Sequence, residues 1–549
     1  MKRTDFSVDW LFAACAPDTE LLPWNAQFTP VDLPHDWQIR HADDLYRDGT
    51  LFYRKYFFVT DVPGTRRMLW FGGAYMDTTV FVNGTEVGQW KYGYTSFWFD
   101  ITDALHEGQN EVLVRCNLRH PNSRWYSGAG LYRNVELWEA PDLHLMPDGL
   151  YVAAKEGDNG AWTVAVTAEV GSVTAASTGR TLTLHLTDDN GSLLGTAAIP
   201  ADAWAALPSP DGWRTGKETA IYKASHTFTL QDPALWDLDA PNFYHITAEL
   251  TGADGVTDTL TTRFGCRTIE ATPDCGLLVN HKRVLIKGVC IHHDFGCLGS
   301  AFEYSAAKRQ LEILKSMGVN SIRTGHTPPA PQFMDLADEM GILMDVESFD
   351  CWRSGKNPYD YGRFFDEWQE KDVAAWVRRD RNHPSLLFWC IGNEIYDTHA
   401  GSEGADTMRM LLAEVAAHDP ARNGIPTLGS NYMPWENTQH CADIIKVAGY
   451  NYGERLYASH HEKHPDWVIY GSETSSIVQS RGIYHFPLSQ SLLSDDDLQC
   501  SSLGNSRTSW GAESWDVCLQ SEQRWPFTLG QYLWAGWDYI CLLYTSPSP

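Results

Sequence analysis

Between residues 284 and 538 the chain carries eight short apolar runs, at 284–289, 321–326, 342–348, 386–392, 425–431, 446–452, 467–473 and 531–538. Longer segments of helical or mixed character separate them. That alternation is the pattern of parallel strands joined by crossovers, and eight such strands predict a (β/α)8 TIM barrel. Between the first two runs, residues 306–317 (AAKRQLEILKSM) have helical spacing, and Gly318 stands where a helix-ending glycine belongs. The active sites of such barrels lie at the C-terminal ends of the strands. The polar residues that close the eight runs are therefore the candidates for chemistry.

The run LLFWCI (386–391) is apolar enough for a strand buried on both faces, and it stops at Gly392, Asn393 and Glu394. A carboxylate placed there, after a glycine that lets the backbone turn, sits at the mouth of the barrel. The alternative is a carboxylate that only caps the next helix. The run VIYGSETS (468–475) presents a second acid, Glu473, in the same way. Two strand-end carboxylates roughly 5 Å apart, one a proton donor and one a nucleophile, are what double-displacement glycoside hydrolysis requires.

Upstream of the barrel the texture is different. Residues 1–139 read as short alternating strands, among them 52–59, 68–73, 78–88, 96–102 and 111–117, with Asn83-Gly84 as a hairpin signal. With no segment of helical period, a β-sandwich is expected. Residues 140–268 alternate in the same manner at 162–170, 180–188, 224–230 and 244–250, which predicts an immunoglobulin-like β-sandwich acting as a spacer. A chain of 549 residues has room for three such units.

Forty-two Lys plus Arg against 70 Asp plus Glu leave a net charge of −28, a surface that repels phosphate backbones, so no nucleic acid partner is expected. The 12 cysteines are scattered without paired metal spacing, which fits reduced thiols and a cytoplasmic location. Asp5 and Asp9 interrupt the N-terminal apolar stretch, so neither a signal peptide nor a membrane partner is expected.

Asn393-Glu394 closing one strand and Gly471-Ser472-Glu473-Thr474 in a later one resemble the acid/base and nucleophile motifs of glycoside hydrolase family two. LPHDW (33–37) and RWYSGAGLYRNVEL (124–137) resemble its opening jelly-roll domain, and the resemblance runs from residue 1 to about 540. It implies Glu394 as the general acid/base, its pKa raised, and Glu473 as an ionised nucleophile. Arg323 would lie beside Glu473 and keep it charged, and Tyr452 would hydrogen-bond it. Asn393 would meet the sugar 2-hydroxyl. His293 and His326 would meet substrate hydroxyls, with His292 more suited to ordering a loop. Trp537 would form an apolar floor for the sugar ring. Arg124 and Trp125 would lie near the pocket or merely hold the sandwich to its neighbour.

Some positions depart from the family pattern. Thr327 stands where an asparagine is usual and Val346 where an acid is usual, although Glu347 follows. Cys351 and Arg353 occupy positions where long bacterial β-galactosidases carry magnesium ligands, and neither suits magnesium, so no metal and no cofactor are expected. After residue 540 the chain reads CLLYTSPSP, which resembles translated sequencing adapter. Residues 269–540 would then be a barrel lacking its last helix, with strands one and eight bare on their outer faces, poorly soluble and weakly active or inactive.

The expected activity of the parent enzyme is that of a retaining exo-β-glycosidase on terminal β-D-galactosides, small or oligosaccharide, with a homo-oligomeric state possible. The wording at 122–133 and 288–302 favours galactosidase. A β-glucuronidase is the alternative within the family, and a non-catalytic carbohydrate-binding protein the alternative outside it.

Overall fold

A computed structural model describes residues 1–540 except 42, 61–63, 174–178, 208–212, 214, 253–254, 478–480 and 494–499. The expectation for 541–549 lies outside the described residues.

The first unit packs a six-stranded antiparallel sheet on a four-stranded one. At the centre of the larger sheet Gly49–Val59 pairs with Gly108–Leu118, and the latter buries every second side chain from Asn110 to Leu118. Asn83 and Gly84 both adopt positive φ, 49° and 80°, and link Thr78–Val82 to Thr85–Trp90 in the tight hairpin expected of that pair. The second unit has two four-stranded sheets around a core of its own, with Thr181–Asp188 alternating inward Leu182, Leu184 and Leu186 against outward polar residues.

Residues 269–284 are not yet barrel. Ile269–Thr272, Gly276–Val279 and Lys282–Val284 form a small antiparallel sheet, turned at Asn280 and His281, both with positive φ. Its Leu277 and Val279 join Leu529 and Tyr532 in one buried cluster under the barrel, because a barrel needs its lower mouth closed to water.

The barrel closes with eight parallel strands, Ile286–Ile291, Ser321–Thr324, Leu343–Glu347, Leu386–Asn393, Ile425–Ser430, Val447–Asn451, Val468–Ser475 and Gly530–Trp534. Strand eight pairs with both strand seven and strand one. It ends at Trp534 rather than 538. Each gap between consecutive strands holds a helix, and among the described residues none follows strand eight. Helix Tyr304–Ser316 covers strand one, with Gly318 at φ 93° beyond its end as expected. The outer face of strand one is not bare: Val289 and Ile291 are buried in the core shared with that helix. Exposed apolar side chains in this unit include Met317, Phe486 and, on helix Trp515–Arg524, Trp515.

The first sandwich docks on the C-terminal face of the barrel. Thr95 Oγ1 donates to Asp372 Oδ1 at 2.7 Å and Arg133 Nη2 to the Pro328 carbonyl at 2.9 Å. The second sandwich grips the opposite end through Tyr151, whose hydroxyl donates to Asp419 at 2.7 Å, and through the Arg378–Glu169 ion pair. Of the two sandwiches, the first is thus the one that reaches the strand ends carrying Glu394 and Glu473.

Candidate active site

Glu394 and Glu473 both reach the barrel mouth, by different backbone routes from those expected. Gly392 does not supply the turn. A Cβ there would lie 2.6 Å from Ile395 Cγ1, so the glycine permits close packing, and the left-handed residue is Glu394 itself at φ 47°. Glu473 lies inside strand seven, which continues to Ser475 before Ser475 and Ser476 turn at φ 70° and 65°. Tyr452, one residue past strand six, is also left-handed at φ 53°. Such conformations carry strain in residues with side chains, and they collect here at one rim of the barrel.

Both oxygens of Glu473 have a donor. Arg323 Nη1 donates to Oε1 and the Tyr452 hydroxyl to Oε2, each at 2.8 Å. Arg323 is fully buried and also donates Nη2 to Asn393 Oδ1 at 2.9 Å while pairing with Glu347. Burial pushes the Glu473 carboxyl above its ordinary range, Arg323 pulls it down and the nearby Glu394 charge pushes it up again. The expected effect of Arg323 is present but burial outweighs it. Burial likewise lifts Glu347 well above its ordinary value and Asp345 to about 7, so one arginine serves three crowded carboxyls.

Glu394 is held by two groups that sequence reasoning did not name as its partners. Asn451 Nδ2 donates to Oε1 at 3.1 Å, and Arg124 Nη1, from the first sandwich, donates to Oε2 at 3.2 Å. Arg124 also donates Nε to Asp350 Oδ2 at 2.9 Å, so it ties the sandwich to the barrel and touches the acid as well. Although burial opposes it, the Arg124 and Lys356 cations hold Asp350 well below the usual carboxylate range. Asn393 is held from three sides: its Oδ1 also accepts from Asn451 at 3.0 Å, and its Nδ2 donates to Asp350 Oδ1 at 3.0 Å.

His326 bonds Glu347 Oε2 through Nδ1 at 2.7 Å and brings Nε2 to 3.6 Å from Glu473. Burial drives its pKa well below the ordinary value, with the Arg323 and Arg124 charges adding to the effect. His293 is not brought to this cluster. Its Nε2 bonds the Ser127 carbonyl at 3.1 Å and its ring faces Tyr94 and Tyr132. His292, the histidine expected to order a loop, packs edge-on to His326 with ring centroids 5.8 Å apart. Trp537 packs against the main core, whereas Trp534 stacks on His326 at 5.2 Å and 3°. The polar Asn451 at a buried strand end, and Trp534 as the last residue of strand eight, were the available signals for the missed positions.

Arg353, where a magnesium ligand could have been sought, is engaged with Asp366 at 2.6 Å, and Cys351 is buried. Asp335, Asp338 and His383 are close enough together to hold a cation, but Arg263 already contacts both acids there. No helix among the described residues is long and apolar enough to cross a membrane.

Comparison with known proteins bears on the family and the fold. The profile for the TIM barrel domain of glycosyl hydrolases family 2 matches residues 271–461, and a second profile of the same family matches residues 148–267. The beta-galactosidase BoGH2A of Bacteroides ovatus is 32% identical over 98% of this chain and 68% of its own length. A beta-glucuronidase of Bacteroides fragilis is 26% identical over 94% of this chain and 75% of its own. A crystal structure of a family 2 member from Bacteroides cellulosilyticus superposes with a TM-score of 0.81 at 27% identity, covering 98% of this chain and 65% of the other.

Proposed function

Since the chain belongs to glycosyl hydrolase family 2, we propose that it is a retaining exo-β-glycosidase acting on terminal β-D-galactosides. The observation that carries this reading is the paired restraint of the two acids. Arg323 and Tyr452 orient the Glu473 carboxylate, while Asn451 and Arg124 orient that of Glu394.

In the first step a Glu473 oxygen attacks the anomeric carbon and the bond to the leaving oxygen breaks, with Glu394 supplying its proton. A glycosyl ester on Glu473 results. In the second step Glu394, now ionised, takes a proton from water as the water oxygen displaces Glu473. Arg323 and Tyr452 hold Glu473 in place throughout. Asn393, anchored on Arg323 and Asp350, offers its remaining amide N–H to the sugar 2-hydroxyl. His326 is set to bond a sugar hydroxyl, with Trp534 at its back.

The galactoside is favoured by the BoGH2A relative, which this chain matches along almost its whole length. A β-glucuronide is the second reading, supported by the Bacteroides fragilis relative. A cytoplasmic location is supported by the absence of disulfides among the described residues, where 11 cysteines are free.

The test is covalent trapping with a 2-deoxy-2-fluoro-β-galactosyl donor bearing a good leaving group. One added fluorosugar on the peptide containing Glu473, absent in Glu473→Gln, is the expected result. Label on any other residue would sink the assignment. Turnover of an aryl β-glucuronide faster than the matching galactoside would select the second reading. Sugar binding without hydrolysis of either would select a carbohydrate-binding protein.

A further inference from the structure

Four rings line the rim next to Glu394 and have no part in the chemistry above. Tyr396 follows Glu394 by two residues, and His399 lies on the short helix Asp397–Ala400. Tyr432 and Trp435 lie between strand five and helix Glu436–Ile445. Their ring centroids run in sequence, Tyr396 to Tyr432 at 6.2 Å, Tyr432 to His399 at 4.2 Å and His399 to Trp435 at 5.5 Å. Tyr396 and Trp435 are 39% and 56% exposed, so the row is not core packing.

One hydrogen bond links the two loops: Asn437 Nδ2 donates to the His399 carbonyl at 3.2 Å. Within the second loop, Tyr432 N donates to Ser430 Oγ at 3.0 Å. Lys356 Nζ, which donates to the Asn393 carbonyl, lies 5.8 Å above the Tyr396 ring. The row therefore starts two residues past the acid and crosses to the loop after strand five. Burial raises the Tyr432 hydroxyl to about 12, and the Glu394 charge adds to the effect, which places Tyr432 within the field of the acid.

An acid that protonates the glycosidic oxygen must face the leaving group, so what continues outward from Glu394 is the leaving group's surface. Exposed aromatic rings with polar edges offer flat apolar faces to the C–H side of a pyranose, and hydroxyl or imidazole groups to its rim. We infer that Tyr396, Tyr432, His399 and Trp435 form a platform for the leaving-group sugars of an oligosaccharide. The natural substrate class is then a β-galactoside whose aglycone is itself one or more pyranose units. This rests on the reading of Glu394 as the acid.

The experiment compares β-1,4-galactotriose with β-galactosyl fluoride, whose one-atom leaving group cannot reach the rings. The quantity read is the ratio of kcat/KM for the trisaccharide to that for the fluoride, in the 549-residue chain and in Trp435→Ala and Tyr396→Ala. A fall in that ratio of about tenfold or more in each variant is expected. Because the fluoride reports the amount of working enzyme, partial misfolding cannot imitate the effect. An unchanged ratio with both substrates turned over overturns the platform and leaves the two-acid reading standing. Hydrolysis of neither substrate by the parent chain overturns both. A change in sedimentation of Trp435→Ala with no change in the ratio would assign the rings to contact between copies and also overturn the platform.

Discussion

Arg124 Nη1 lies 3.2 Å from Glu394 Oε2, a contact between a residue of the first sandwich and an acid one residue past barrel strand four. The sandwich is therefore part of the site. Its arginine reaches Glu394 only because Asp350 holds the same guanidinium through Nε and Nη2, a fork that a lysine cannot reproduce.

Replacing Arg124 tests that role. Arg124→Gln is expected to lower kcat/KM on the best β-glycoside by about 10²-fold, the scale of a misplaced catalytic group. Arg124→Lys should recover only part of the loss. Steady-state kinetics on both variants decide it, and a lysine variant equal to the parent would show that a point charge suffices.

Removing each acid separates their duties. Glu394→Gln is expected to lose about 10² to 10⁴ in rate on substrates with poor leaving groups. It should lose much less with an activated leaving group that needs no proton in the first step. Glu473→Gln should abolish turnover on both kinds of substrate. Equal losses in Glu394→Gln across leaving groups would contradict its role as acid.

Much of this was legible in the order of residues, because a strand buried on both faces has few ways to end in a carboxylate. Glu394, Glu473, Arg323 and Tyr452 all stand at or near the ends of apolar runs, and the structure brings them together. Direction past a strand end was not legible. His292 and His293 are neighbours, and the Ser127 carbonyl, 166 positions away, turns the second of them aside. Arg124 and Glu394 are 270 positions apart, and no local pattern joins them. Residues 269–284 fall with the barrel by their position, and only the structure shows them as a small antiparallel sheet ahead of strand one.

A pH dependence of stability follows from His383. Burial alone would lower its pKa, but Asp338 Oδ2 at 2.7 Å raises it from the ordinary 6.5 to about 9. A group whose folded pKa is raised adds stability that is complete below the unfolded value and lost as pH climbs through the folded one. His383→Gln should therefore be about 2 kcal/mol less stable than the parent near pH 6. The gap should close by pH 10. Denaturant unfolding across that range measures it, and a gap independent of pH would exclude the charged pair as its source.

Barrel closure depends on Gly288 in strand one. A Cβ built there would lie 2.2 Å from Tyr532 Cδ1 and 2.9 Å from the Gln531 carbonyl, both on strand eight. Tyr532 cannot swing aside freely, since it is fully buried and its hydroxyl bonds Ser321 Oγ on strand two at 2.7 Å. Gly288→Ala must then push strands one and eight apart, at a cost of about 1 to 3 kcal/mol. Shortening the obstacle should relieve it, so Gly288→Ala combined with Tyr532→Leu should be less destabilised than the sum of the two single changes. The melting temperatures of the four proteins in that cycle supply the comparison. Strict additivity would mean that the two residues do not meet, and that strand eight closes the barrel by some other contact.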